Sequence, residues 1–352
     1  MATVREFSLY FKQIWSQKGE KMRKIIAVMG MSAIMAVSAG AADYVLKFSY
    51  VVSQNTPKGK AAQFFEKRLE ELSAGRIDVQ LYPNSQLYTD KAVLKALRLD
   101  SVQMACPSFS KFGKIVPQLA LFDLPFLFRD IEHLHRVQDG PVGKRLKKMV
   151  TAKGFVALNF WDNAFKQMTD SKRPLVSPED FKGLKFRIMG SKVLEAQFKA
   201  VGAIPQVMPF SEVYSALQQG VIDGEENTNS NIYTKKFYEV QRYMTLSNHG
   251  YLGYLVVMSK RFWKSLPDDL KAAVKKALDE ATEKERKWAI ELDRSQFAKI
   301  KEYADKSGKL EITTLTPAQR EKLKSVMESI YPKFYDPKLI GRELIEGARN
   351  TR

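Results

Sequence analysis

In the stretch "GLKFRIMGS", Arg187 stands between Phe186 and Ile188, and a guanidinium in that company is the first candidate for chemistry in this chain. In a strand of period two, Phe186 and Ile188 share one face and Arg187 takes the other. A cation buried there needs a negative partner, either a fixed neighbour or an arriving ligand. Two further donors stand at comparable places: Asn227 closing "DGEEN" and Lys166 in "WDNAFKQMT". Arg offers a two-pronged donor to a carboxylate, Asn an amide and Lys a point charge. Ligands of open α/β sheets collect at the carboxyl ends of strands and at helix N-termini. Three donors so placed suggest a small anion, although each alone could be a salt-bridged or surface residue.

Signatures of enzymes and metals do not accompany them. The chain has no glycine-rich nucleotide loop, no Gly-x-Ser-x-Gly elbow and no paired-cysteine metal site. His133 and His135 beside Glu132 would fall on different faces of a helix, poor geometry for one metal ion. Asp223, Glu225 and Glu226 could be glycosidase acids, but carboxylates turning beside Gly224 are the plainer reading. His249 reads as structural and the single cysteine, Cys106, as a small core residue. No catalytic residue, metal or cofactor is expected.

The elements that must position these donors alternate between strand and helix, the mark of an α/β sheet with parallel crossings. Tyr44–Val52 alternates like a strand, and Thr56-Pro57 opens a helix that runs to about Leu72. Ile77–Tyr82 and Val102–Cys106 follow as strands around a helix at Lys91–Leu99. "LALFDLPFLF" reads as a buried irregular stretch, with two short helices after it and then the strand "FVALNFW". The Arg187 strand leads into a helix at Ser191–Val201, a short strand near Val207 and a helix over Ser211–Gln219. After the apolar strand "YLGYLVVMS", no Pro or Gly interrupts the chain from Asp268 to Gly308. That predicts one helix of roughly 40 residues and about 60 Å, too long for one compact domain and suited to a strut across two.

With 352 residues, 45% hydrophobic and 27% charged, the chain can bury two domain cores. Its formal charge of +18 raises a nucleic-acid partner, but the basic residues are spread along the whole length, as on solvated helix faces. From Met22 the chain has a basic start, an apolar run Ile25–Val37 and small residues near Ala41, the layout of a cleavable export signal. The run is short for a membrane span. The first 21 residues then reflect an upstream start codon. Six Lys/Arg and two Glu precede Asp43, so the exported chain would carry about +14. A two-domain exported chain without disulfides fits a Gram-negative periplasm.

Six stretches, taken in order, resemble the periplasmic solute receptors of tripartite ATP-independent (TRAP) transporters, in their C4-dicarboxylate branch. They are "FSYVVSQNTPKGKAA", "LYPNSQLYTD", "WDNAFKQMT", "GLKFRIMGS", "MPFSEVYSALQQGVIDGEEN" and "NIYTKKFYEVQRYMTLSNHGYLGYLV". The resemblance covers nearly all of the chain after the leader. It implies a two-lobed, type II-like α/β binding protein with hinge strands and a long helix spanning both lobes. The leader occupies 1–42, the first lobe 43–163 plus 253–292, and the second 164–252 plus 293–352.

It further implies that Arg187 holds a substrate carboxylate, Asn227 supports it, Phe210 walls the pocket and Lys166 sits where some branches carry a second arginine. Asp90, Ser108 and Ser191 fall at pocket positions. A dicarboxylate needs a second donor roughly 4–6 Å from the first, and Lys58, at the first helix's N-terminus, is a candidate. Tyr50 and Thr228 depart from the family's usual histidine and proline. The implied function is a non-enzymatic receptor that takes succinate, malate or fumarate to a membrane permease. It is expected to be a monomer without nucleic acid. The alternatives are another organic acid, a monocarboxylate or sugar acid, or an exported hydrolase.

Overall fold

The computed structural model describes residues 42–352; the expected leader, apart from Ala42, and its start at Met22 lie outside the described residues, and the expected cleavage near Ala41 or Ala42 falls at their edge. Among the described residues eleven strands form: β1 (Tyr44–Ser49), β2 (Ile77–Tyr82), β3 (Met104–Ala105), β4 (Phe155–Phe165), β5 (Gln167–Asp170), β6 (Lys185–Ile188), β7 (Ile204–Val207), β8 (Gly224–Asn227), β9 (Tyr243–Leu246), β10 (Tyr251–Ser259) and β11 (Glu311–Thr314). They make two sheets, ordered β2-β1-β3-β10-β4 and β11-β9-β5-β8-β6-β7. In the first, β1 is parallel to β2 and β3, while β10 runs antiparallel to β3 and β4. In the second, β6 lies parallel to β7 and β8, and β5 is antiparallel to β8 and β9. Each sheet is therefore parallel where helices connect its strands and antiparallel where the chain changes sheet.

The change of sheet is abrupt. Phe165 ends β4 opposite Tyr251, and only Lys166 separates it from β5 in the other sheet. Lys166 N–H donates to Gly250 O at 2.8 Å, tying the outgoing strand to the returning one. A side chain at Gly250 would put Cβ 2.8 Å from Lys166 Cε, so a larger residue there would have to push the Lys166 side chain aside.

The first helix, Pro57–Leu72, starts where Thr56 accepts from Gly59 N and Pro57 occupies the first turn. The long helix spans Asp268–Ser307, 40 residues, and ends on left-handed Gly308 with φ 63°. Its early apolar positions, Val274, Ala277, Leu278 and Ala281, share a core with Leu46, Phe48 and Phe65 of the first sheet's lobe. Its late ones, Ile300 and Ala304, pack with Val213, Ile222, Phe237 and Met244 of the second. It is a strut between two cores.

The C-terminal segment does not follow the expected division. Ile330, Tyr331, Phe334, Leu344 and Ile345 join Phe109, Phe122, Leu134 and Leu146 of the first lobe. The cause is the amphipathic helix Arg342–Asn350, whose Leu344, Ile345 and Ala348 face the apolar "LALFDLPFLF" stretch. Tyr331 O–H donates to Pro125 O at 2.6 Å and His133 Nε2 meets Ala348 O at 2.9 Å, fixing that docking. β3 is two residues long rather than five, because the chain leaves the sheet at Cys106-Pro107.

Candidate functional site

A cavity of about 720 Å³ opens between the two sheets. Arg187, Asn227, Lys166, Phe210, Asp90, Ser108 and Ser191 all line it; Lys58 does not.

Arg187 is 2% exposed. Its Nε and Nη2 both donate to Met208 O, at 3.2 and 2.9 Å, while no described carboxylate lies within 4.0 Å of the guanidinium. The Phe210 ring centre is 5.9 Å from its Cζ. The obvious internal partner, Glu225, stands beside Arg187 on neighbouring β8. It is turned to other donors, accepting from Thr169 Oγ1 at 3.1 Å and Asn227 Nδ2 at 2.9 Å. Burial pushes its carboxyl up to about 7, in spite of the opposing pull of Asn227, Arg187 and Thr169. Arg187 thus sits in the wall without a close counterion. Burial lowers its own proton affinity, and Glu225, Glu226 and Asp90 only partly offset that.

Asn227 is held on both sides, donating to Glu225 and accepting from Asn231 Nδ2 at 2.7 Å, which orients its remaining N–H. Ser191 caps the helix Lys192–Ala200 by accepting from Val193 N at 3.2 Å. Ser108, on the first lobe, reaches Met189 Sδ of the second at 3.4 Å. Asp90 opens the helix Asp90–Arg98.

Lys166 and Lys58 differ from expectation. Lys166 Nζ is 2.6 Å from Glu226 Oε2, and both side chains are 1% exposed. His249 Nε2 lies 2.8 Å from the same oxygen, and its Nδ1 2.8 Å from Ser247 Oγ. Although burial works against its ionisation, the Lys166 and His249 contacts hold Glu226 at about 2. Burial lowers the proton affinity of His249, so the ring is neutral, donates from Nε2 to Glu226 and accepts from Ser247. Lys58 is fully buried, donates to Cys106 O at 2.9 Å and lies 3.6 Å from the centre of the Tyr254 ring. Both ammonium groups are thus occupied internally.

Two of the acids expected at a turn, Glu225 and Glu226, are instead in the middle of a sheet, while Asp223 stays in the bend before it. β8 reads "GEEN", with no apolar residue to betray burial, yet all four residues are buried. Successive side chains alternate faces, so Glu225 turns toward Thr169 and Asn227 and Glu226 toward Lys166 and His249. Asp123 is a further buried carboxyl, accepting from Ser110 Oγ at 2.8 Å. Burial pushes it up to about 6 against the pull of Lys166, Ser191 and Ser110.

Lys111, on the turn Phe109–Phe112, also lines the cavity; no periodic pattern in the sequence marks it. His135 Nε2 meets Asp162 Oδ2, so the two helix histidines have separate partners. Thr228 caps the helix Asn229–Thr234 and donates to Asn163 Oδ1 at 2.9 Å; neither it nor Tyr50 lines the cavity.

Residues 48–338 match the family described as bacterial extracellular solute-binding protein, family 7. The chain is 45% identical over 326 residues to the C4-dicarboxylate-binding periplasmic protein DctP of Rhodobacter capsulatus, covering 92% of this chain and 96% of that one. It is also similar to a TRAP periplasmic solute-binding protein of Sulfurospirillum deleyianum solved with succinate: TM-score 0.86, identity 58%, coverage 88% of this chain and 100% of that one. A Pseudomonas aeruginosa protein of the same description, solved with L-malate, gives a TM-score of 0.78 at 38% identity, covering 83% of this chain and 100% of that one.

Proposed function

Because this chain belongs to the bacterial extracellular solute-binding proteins of family 7, we infer that its interlobe cavity takes up a small C4-dicarboxylate such as succinate or malate. It is a solute receptor, not an enzyme. Outside the inner membrane, as a monomer exported by a cleavable leader, it hands its ligand to a TRAP permease.

One observation carries the ligand chemistry: Arg187 is buried in the cavity wall with no carboxylate at ion-pairing distance. A guanidinium so placed forks onto a carboxylate. Asn227 presents its spare N–H beside it, and Phe210 covers the charge. Micromolar affinity requires about 8 kcal/mol. Charge-assisted hydrogen bonds contribute roughly 1.5–3 kcal/mol each, so a forked carboxylate and one amide contact supply most of it. The strands crossing at Lys166 and Gly250 let one lobe turn over the ligand and exclude water.

Calorimetric titration of the purified chain with succinate, malate, fumarate, a monocarboxylate and a sugar acid tests the reading. Tight binding of a C4-dicarboxylate is expected. Heat-silent titrations with every acid, together with an unmoved melting temperature, would refute it.

A further inference from the structure

We propose that Lys111 receives the second carboxylate of the ligand and so makes the receptor prefer dicarboxylates to monocarboxylates. This assignment rests on the dicarboxylate reading above and identifies the residue that enforces it.

The cavity's cations sort themselves by what already holds them. Lys166 is taken by Glu226. Lys58 is spent on the Cys106 carbonyl behind the Tyr254 ring. Lys91, Lys95, Arg98, Lys114 and Lys192 are exposed, where water screens them. Lys111 alone is half-buried and lines the cavity with an ammonium that makes no hydrogen bond or ion pair with any described residue, its backbone N–H donating to Ser108 O at 3.0 Å. Its backbone is pinned, because Phe109 and Phe112 on either side are buried in the first lobe's core. The ammonium is therefore presented from a fixed point.

Lys111 belongs to the first lobe and Arg187 to the second. They face the same space: after burial and Asp90, the Arg187 charge is the next influence on the Lys111 proton, and it acts to expel it. Asp90 and Asp123 face Lys111 and pull the other way. Two like charges on opposite lobes oppose closure of an empty cleft. A dianion lying between them neutralises both and draws the lobes together. A monoanion satisfies Arg187 and leaves Lys111 desolvated without a partner, which is the penalty that creates discrimination.

Calorimetry with succinate and butyrate, which share four carbons and differ by one carboxylate, tests this on the wild-type chain, Lys111→Met and Lys111→Arg. Lys111→Met is expected to weaken succinate roughly tenfold to a hundredfold, the loss of one charge-assisted hydrogen bond. Butyrate affinity is expected to stay level or rise, and Lys111→Arg to keep the preference for succinate. Lys111→Gln carries the same comparison should the Met variant not fold. Wild-type succinate affinity in Lys111→Met, or an equal loss for both acids, overturns the assignment. A wild-type chain that binds neither acid overturns the dicarboxylate reading itself, a separate and recognisable failure.

Discussion

Replacing Arg187 by Ala separates a binding role from a structural one. Without ligand, the side chain's recorded bonds are the two to Met208 O. Losing them costs about 2 kcal/mol, and releasing a buried guanidinium from its desolvation offsets part of this. No carboxylate is stranded in an ion pair, since Glu225 already sits near neutral at about 7. The net change should stay below about 2 kcal/mol, a melting shift of about 6 °C or less for a chain of this size. With ligand, a forked pair of charge-assisted bonds disappears, roughly 3–6 kcal/mol, or at least a hundredfold in affinity. The assay pairs succinate calorimetry with ligand-free thermal unfolding. A fall in affinity under about fivefold refutes the reasoning, as does a ligand-free variant that melts more than about 10 °C lower. Arg187→Lys refines the point: it keeps the charge but cannot fork, so it should recover only part of the loss.

Two further outcomes follow from the buried acids. Asp123 has its carboxyl raised by burial from 3.8 to about 6, so the folded state holds the proton more tightly than the unfolded chain. This contribution to stability is fully present below about 4 and is lost as pH rises through about 6, amounting to about 3 kcal/mol. Asp123→Asn should therefore gain stability over the wild type at pH 8 and none at pH 4 in urea unfolding, and parallel pH profiles would contradict the argument. Glu226→Gln leaves the buried Lys166 ammonium without its 2.6 Å counterion and should cost about 3–5 kcal/mol. A loss under about 1 kcal/mol in the same urea titration would mean that the pair is not the anchor its geometry implies.

How far the fold could be read depended on whether residues carried their own local signal. The helix at Pro57–Leu72 announced itself through Thr56 and Pro57, and the strut through 40 residues without a breaker. β5, β9 and β11 had no such signal, being four residues each and partly polar. They are strands because neighbouring strands complete their hydrogen bonds. The helix at Arg342–Asn350 has an amphipathic face, but which lobe that face would meet is a matter of packing.

The site divides in the same way. A guanidinium between Phe186 and Ile188 and an Asn at a later strand's end are local arrangements, so Arg187 and Asn227 could be found from order alone, whereas Ser191 was placed at the pocket by the family resemblance. Lys58, Lys111 and Lys166 are the same residue type, and nothing local tells them apart. Burial beside a carbonyl claims one, Glu226 claims another, and only Lys111 lines the cavity with an ammonium no described residue holds. Sequence by itself determined the two-domain α/β plan, the strut and the arginine set between two apolar residues of a strand, because periodicity, capping and breakers act within a few residues. Which cations remain unpaired was decided only by the tertiary structure, because a charge is neutralised by whatever the fold brings within a few ångströms, at any distance along the chain.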